Sequence, residues 1–272
     1  MIGLHYTTGI TGVPILTNTA IEADAERLLR DYDPSLLKTP QPLNVEDFAE
    51  NYLGLRIHYD NLSHDSSVLG RMVFSNSRIP VYVPSLGRAE YCSVEAGTVI
   101  IDNSLEEEGR AALFRSTMMH ECGHKVYHAQ YYREEAKPPM GITAARERIP
   151  ATACRQADIE GSRRDGRRRL VSDRDWLEHQ AKYFSAAALM PASMVRRVYD
   201  ELEIGENLRA SNSRASEQDL LFWLTAIFRV SAISAEIRIR QLKLDFESHQ
   251  TADSSLLGMK NESRPENACM LS

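Results

Sequence analysis

The segment TMMHECGHKVYH, residues 117–128, contains an HExxH pattern and is the most informative part of the chain. Residues four apart lie one turn apart on the same face of a helix, so the imidazoles of His120 and His124 can reach a single metal ion. Glu121 lies one residue along and can contact a water molecule on that ion. The apolar residues before His120 indicate a buried helix, as expected for a metal-bearing helix at the floor of a cleft.

A catalytic zinc takes three protein ligands, so a third ligand is needed beside the two histidines. His128 lies one further turn along, but a turn rises about 5.4 Å, which keeps three successive turns from converging on one ion. We therefore expect His128 to be structural or to support a ligand. A metzincin site is excluded, because Tyr127 and Gln130 stand where that class has Gly and His.

A carboxylate from a later helix is the remaining source of the third ligand. Glu178 is the best candidate, since it lies in the next clearly apolar helix, which can pack antiparallel to the first. The helix pattern alone separates it only weakly from three other carboxylates, those of Glu160, Asp173 and Asp175.

Outward from these two helices, the sequence predicts an α+β chain. Apolar periodicity and capping residues predict helices at about 19–32, 45–53, 104–131, 176–189, 191–203, 217–228 and 232–244. Short alternating runs predict a small sheet with strands near 55–59, 71–74, 79–83 and 98–102. We expect an irregular lead-in at 1–18, a catalytic domain at 19–205 with a long Arg-rich connection at 132–175, a helical module at 206–245 and a disordered tail at 246–272.

The composition is that of a globular protein. Of the 272 residues, 43% are hydrophobic and 26% are charged, which excludes a disordered or collagen-like chain. The net charge of −6 argues against a protein that coats nucleic acid or an anionic membrane. No apolar run is long enough to span a bilayer, the first residues lack a secretory signal, and the four cysteines show no CxxC spacing. We therefore expect a cytoplasmic protein that does not associate with a membrane.

Three segments resemble the ImmA/IrrE-type metallopeptidases: HECGHKVYH at 120–128, EHQAKYFSAAALMP at 178–191 and FRVSAISAEIRIRQLKL at 228–244. The resemblance covers residues 19–245. It implies a zincin-like catalytic domain followed by a small helical module similar to a helix-turn-helix.

The resemblance also implies a set of site residues. A zinc ion would be held by His120, His124 and Glu178, with Glu121 as the catalytic base. Lys182 stands where the family usually has Asp or Asn, so a hydrogen bond that supports a ligand is missing or rerouted. The gap between the second histidine and the glutamate is longer than in compact members.

The function that the resemblance implies is that of a cytoplasmic zinc endopeptidase. Its substrate would be a helix-turn-helix transcriptional repressor, often encoded next door in a bacterium or mobile element, and cleavage would relieve repression. Manganese or iron can replace zinc in such a site. Two alternatives stay open: a non-proteolytic regulator that binds DNA or a repressor and uses the metal structurally, and a general peptidase of small peptides.

Several further features bear on partners. The arginine-rich segment Arg155–Arg174 can dock an acidic partner or nucleic acid, but we favour a solvated loop. In the C-terminal helix pair, Arg238 and Arg240 are expected to face outward. Three basic residues on one short helix are a small phosphate-binding surface, so we expect a packing module and no direct binding to DNA.

The remaining expectations concern the cleft. A strand at its edge, within Ile79–Val83 or Thr98–Asp102, would hold an extended substrate by strand addition. The sequence leaves the oxyanion donor open among Tyr127, Tyr131 and His128. Cys154 can join Cys92 or a histidine in a second metal site, although a buried thiol is far more common.

Overall fold

The computed structural model of the protein describes residues 2–135, 151–155, 170–208, 216–244 and 246. The α-helices in these ranges are α1 (Asn18–Tyr32), α2 (Val45–Asp47), α3 (Ala111–Glu135), α4 (Asp173–Leu189), α5 (Ala192–Leu208), α6 (Glu217–Phe228) and α7 (Ala232–Leu242). The strands are β1 (Arg56–Asp60), β2 (Val68–Val73), β3 (Ser77–Val83), β4 (Arg88–Val94), β5 (Thr98–Asp102) and β6 (Cys154–Arg155).

The chain is α+β, as predicted, and its main sheet is small and mixed. Four strands lie in the order β1-β5-β2-β6. β1 runs parallel to β5, whereas β2 is antiparallel to β5 and to β6. β3 and β4 form a separate antiparallel pair, joined by a turn in which Gly87 takes a φ of 63° that favours glycine.

The HExxH helix α3 is held in the centre of the main core. Met72 of β2, Met118 and Met119 of α3 and Phe184 of α4 belong to one buried cluster. Burying each such side chain contributes roughly 1.5–3 kcal/mol relative to exposure. α3 is therefore fixed between the sheet and α4.

The C-terminal helices share that core. Leu220, Leu224 and Phe228 of α6 and Ile239 of α7 are buried in the same cluster. Arg238 is fully buried, and its guanidinium donates to both carboxylate oxygens of Glu22 in α1. The prediction that Arg238 faces outward is therefore wrong, whereas Arg240 is exposed.

Several predicted boundaries differ from the structure. The capping signal at Ser104 does not open the HExxH helix: the side chain of Asp102 caps a short 3-10 turn over Asn103–Glu106, and α3 begins at Ala111. Strand β4 was not predicted, and most of its side chains are exposed.

The predicted tail and the arginine-rich segment lie largely outside the described residues. Phe246, the first residue of the predicted tail, lies edge-on against Tyr199 with ring centroids 5.5 Å apart. Within the described ranges, no single helix is long and apolar enough to cross a membrane. Taken together, α6 and α7 meet the criterion by length and composition, but the pair is bent by 116° at the break between the two helices.

Candidate metal centre

Three predicted ligands converge on one point between α3 and α4. Nε2 of His120 and Nε2 of His124 lie 3.1 Å apart. The carboxylate of Glu178 faces both of them, with Oε2 3.3 Å from Nε2 of His120 and Oε1 3.7 Å from Nε2 of His124. These side chains form a group whose ligand atoms all lie within 4.8 Å of one another.

The spacing of these atoms fits a metal ion. Tetrahedral zinc with bonds of about 2.0–2.2 Å separates its ligand atoms by roughly 3.3–3.6 Å. The observed separations of 3.1, 3.3 and 3.7 Å bracket that range. Both histidines are at most 1% exposed, so bulk water does not compete with an ion for their ring nitrogens. The cluster can therefore hold a metal ion.

Gly123 allows α3 and α4 to approach closely enough to build this cluster. A Cβ atom at Gly123 would lie 3.0 Å from both Cα and O of Ala181 in α4. Such contacts with backbone atoms are tighter than real Cβ atoms ordinarily make. The glycine within HExxH thus sets the distance at which Glu178 faces the histidines.

Opposite charges shape the protonation of the cluster. Burial by itself lowers the pKa of His120, but the hydrogen bond and charge of Glu178 outweigh burial and raise it. Burial by itself raises the pKa of Glu178, yet the partnership with His120, aided by Lys182, lowers it. Burial and the neighbouring histidines hold the pKa of His124 well below its usual value. A metal ion therefore competes with a proton on His120.

Glu121 is fully buried beside the cluster and is held by Thr152, two residues before β6. Thr152 Oγ1 donates a hydrogen bond of 2.5 Å to its Oε2, whereas its Oε1 has no hydrogen-bond partner in the described part of the chain. Burial raises the pKa of Glu121 to about 7. Gly70 of β2 makes room for this carboxylate, because a Cβ there would lie 3.2 Å from Glu121 Oε1 and 2.6 Å from Thr117 Cγ2.

His128 contacts the ring of His124 on the side away from Glu178 and is not one of the three residues that could hold an ion. Its Nδ1 lies 2.9 Å from Nδ1 of His124, and its Nε2 lies 2.9 Å from Oε1 of Gln180. Burial lowers the pKa of His128 to about 4. The expectation that His128 supports a ligand agrees with these contacts.

The other candidate ligands lie elsewhere. Asp173 is absent from both groups that can hold a metal, and Asp175 caps its own helix by accepting from Ser172. Glu160 lies outside the described residues. A second group joins His120, Glu121 and the buried thiol of Cys154; Cys92 belongs to neither group.

The oxyanion candidates and the edge strands also have defined places. The hydroxyl of Tyr127 turns towards Asp24 in α1, 3.4 Å away. β5 (Thr98–Asp102) pairs on both sides, so it offers no edge for a substrate strand, and that expectation is wrong. Ile79–Val83 lies in the separate β3–β4 sheet. The outer edge of β2 is covered by β6.

The two histidines of the cluster differ in the hydrogen bonds that support them. No described residue makes a hydrogen bond to Nδ1 of the buried His120. Lys182, which carries only donors, stands one turn after Glu178. Its positive charge partly offsets the rise in the pKa of His120 and adds to the lowering of the pKa of Glu178.

A cavity of about 160 Å³ opens beside His120, between α3, α4 and α7. Its lining includes Lys182, Ala186 and Leu189 from α4 and Ile237 from α7. The C-terminal helices therefore form part of the surroundings of the candidate metal centre.

Sequence reasoning missed three residues that hold the site: Pro14, Thr152 and Gln180. Each acts through a contact distant along the chain, 166 residues for the bond between Gln180 and the Pro14 carbonyl. Gln180 lies among polar neighbours in the segment Glu178–Lys182, so the local sequence does not distinguish it. Comparison of the sequence with protein-family models and with curated proteins finds no match.

Proposed function

We propose that the protein is a zinc-dependent endopeptidase with a zincin-like catalytic domain of the ImmA/IrrE type. The observation that carries this proposal is the convergence of His120, His124 and Glu178, with Glu121 buried beside them. A purely structural site has no use for an additional buried carboxylate next to its ligands, whereas hydrolysis needs a base there.

His120, His124 and Glu178 would hold the ion. When bound, zinc supplies a Lewis acid that polarises the scissile carbonyl and makes water more acidic. Glu121 then takes a proton from the attacking water and delivers it to the leaving amine. A pKa of about 7, which burial produces, suits a group that accepts and releases a proton near neutral pH.

The substrate has to reach Glu121 past residues 151–155. Thr152 donates its backbone N–H to Met72 O and accepts a bond from Met72 N on its hydroxyl, so this segment occupies the outer edge of β2. Its hydroxyl also contacts Glu121. An extended peptide that pairs with β2 would take the place of this segment.

We propose a helix-turn-helix repressor encoded next to this chain as the substrate, cut in the cytoplasm so that repression is relieved. This substrate class rests on the resemblance of residues 120–128 and 178–191 to the family. Direct binding to DNA is not part of the proposal. Burial of Arg238 against Glu22 removes one of the three basic residues that such a surface would use.

The experiment incubates the zinc-loaded chain with the adjacent repressor and follows fragments by mass spectrometry. The wild type should cut the repressor at a defined bond. Glu121→Gln should bind zinc but lose at least about 100-fold in cleavage rate, because it removes the base and leaves the ligands. Equal cleavage by both proteins would contradict the role of Glu121. A zinc-loaded wild type that binds the repressor or DNA without cutting would favour the non-proteolytic regulator.

A further inference from the structure

A chain of buried hydrogen bonds runs from the backbone to His124. Gln180 Nε2 donates to the carbonyl oxygen of Pro14 at 2.7 Å, and Gln180 Oε1 lies 2.9 Å from Nε2 of His128. Nδ1 of His128 lies 2.9 Å from Nδ1 of His124. Gln180, His128 and His124 are at most 1% exposed, so bulk water does not compete for these contacts.

The donors and acceptors in this chain of hydrogen bonds can be assigned in only one consistent way. A carbonyl oxygen can only accept, so the amide nitrogen of Gln180 faces Pro14 and its oxygen faces His128. That oxygen also only accepts, so Nε2 of His128 carries a proton. In a neutral ring the other nitrogen then accepts, which places the proton of His124 on Nδ1. The lone pair of His124 is left on Nε2, the nitrogen that faces Glu178.

The N-terminal segment provides the fixed end of this chain. Pro14 forms an isolated bridge with Thr8, and the hydroxyl of Tyr6 donates to the carbonyl oxygen of Tyr127 in α3 at 2.9 Å. The carbonyl that orients Gln180 is therefore held by the same segment that is tied to the HExxH helix.

We propose that Gln180 is a positioning residue that holds His124, through His128, in the tautomer whose Nε2 can bind a metal ion. The inference rests on the proposed metal site and adds residues to it. His120 has no comparable support among the described side chains, so the ordered ligand of the pair is His124. Because the proton of His124 is already on Nδ1, the ring does not have to change tautomer when an ion binds, which lowers the free-energy cost of binding.

The direct test is the imidazole ¹H–¹⁵N spectrum of the full chain, labelled at its eight histidines and stripped of metal by a chelator. Two-bond couplings distinguish a ring protonated at Nδ1 from one protonated at Nε2. His124 should carry its proton on Nδ1 and His128 on Nε2. The His128→Ala variant assigns the His128 signals by their loss. A proton on Nε2 of His124 in the wild type would overturn the proposal.

Zinc affinity, measured by competition with a chelator, provides the second readout. Gln180→Leu removes both hydrogen bonds and should weaken zinc binding by about 10–100-fold. Gln180→Glu keeps an oxygen towards His128 and, when protonated in this buried place, a donor towards Pro14, so it should recover most of the affinity. Ser185→Ala loses a buried bond from the same helix to Ser116 O without touching the chain of bonds, and should leave the affinity unchanged.

The outcomes separate this inference from the proposed function. Wild-type affinity in a folded Gln180→Leu variant would overturn the positioning role, and so would equal losses in the Leu and Glu variants. If Gln180→Leu does not fold, the tautomers of the wild type still decide. A chain that cuts no repressor would refute the peptidase and leave the tautomers and zinc affinities as the test of Gln180.

Discussion

The two oxygens of the Glu121 carboxylate have different surroundings. Oε2 accepts the hydroxyl of Thr152, whereas Oε1 is buried without a hydrogen-bond partner among the described residues. An unpartnered buried oxygen costs stability, commonly about 1–3 kcal/mol, and such a cost is typical of groups kept for chemistry. At the residue scale, Glu121 is therefore placed to accept a proton from a molecule that enters the site.

The first prediction at this scale concerns pH. Burial lowers the pKa of His120, but Glu178 raises it more, so the net pKa lies above the usual 6.5. Below that pKa a proton competes with the metal, so zinc affinity should fall about tenfold per pH unit and level off above it. Chelator competition from about pH 5 to about pH 9 measures this. A flat affinity profile would contradict the assignment of His120 as a ligand.

The second prediction concerns Lys182. Lys182 and His120 line the same cavity, and Nδ1 of His120 has no described partner. Lys182→Asn tests whether an amide oxygen at this position accepts from that Nδ1. We expect zinc affinity to rise by about tenfold, since such supporting bonds commonly change affinity by 10–100-fold. Lys182→Met is the matched control, because it removes the charge without adding an acceptor. An Asn variant no better than the Met variant would show that the position does not support His120.

At the scale of elements, the crossing of α3 and α4 determines the site. Gly123→Ala would place a Cβ 3.0 Å from the backbone of Ala181, and backbone cannot turn aside as a side chain can. The helices should move apart by a few tenths of an ångström, and zinc affinity should fall about tenfold. Gly3→Ala, where no atom lies within 4 Å, is the control. Unchanged affinity at Gly123→Ala would mean that the crossing tolerates a wider spacing.

Whether an element could be predicted from the sequence depends on how far apart along the chain its determining contacts lie. The HExxH helix and the helix of Glu178 were predictable because apolar spacing and local charge pattern are properties of neighbouring residues. The start of α3 was not, because Asp102 accepts from Ser104 N and closes a 3-10 turn before the helix begins. Thr152 and Gln180 were missed because their partners come from distant segments.

At the scale of the whole molecule, α7 is tied to α1 and to the end of α4 through the buried guanidinium of Arg238. Besides Glu22, Arg238 donates through Nε to the carbonyl oxygen of Met190, at the end of α4. The apolar spacing of this helix predicted an outward-facing Arg238. Its partner Glu22 lies 216 residues away along the chain, so no local pattern reveals the pair.

This tie predicts a large difference between two arginines of one helix. Arg238→Met leaves the Glu22 carboxylate without its buried partner and should lower the free energy of unfolding by roughly 3–5 kcal/mol. Arg240→Ala removes only an exposed pair with Glu236 and should cost about 0–1 kcal/mol. Denaturant unfolding of the two variants measures both values. Equal effects would contradict the role of Arg238 as the link between α7 and α1.

The central claim is that His120, His124 and Glu178 together hold one catalytic metal ion. Metal analysis of the purified wild type beside a Glu178→Ala variant tests it most directly. We predict one equivalent of zinc in the wild type and its loss in the variant, because two histidines alone do not retain a catalytic zinc. Zinc retained without Glu178, or no metal in either protein after zinc is supplied, would contradict the account.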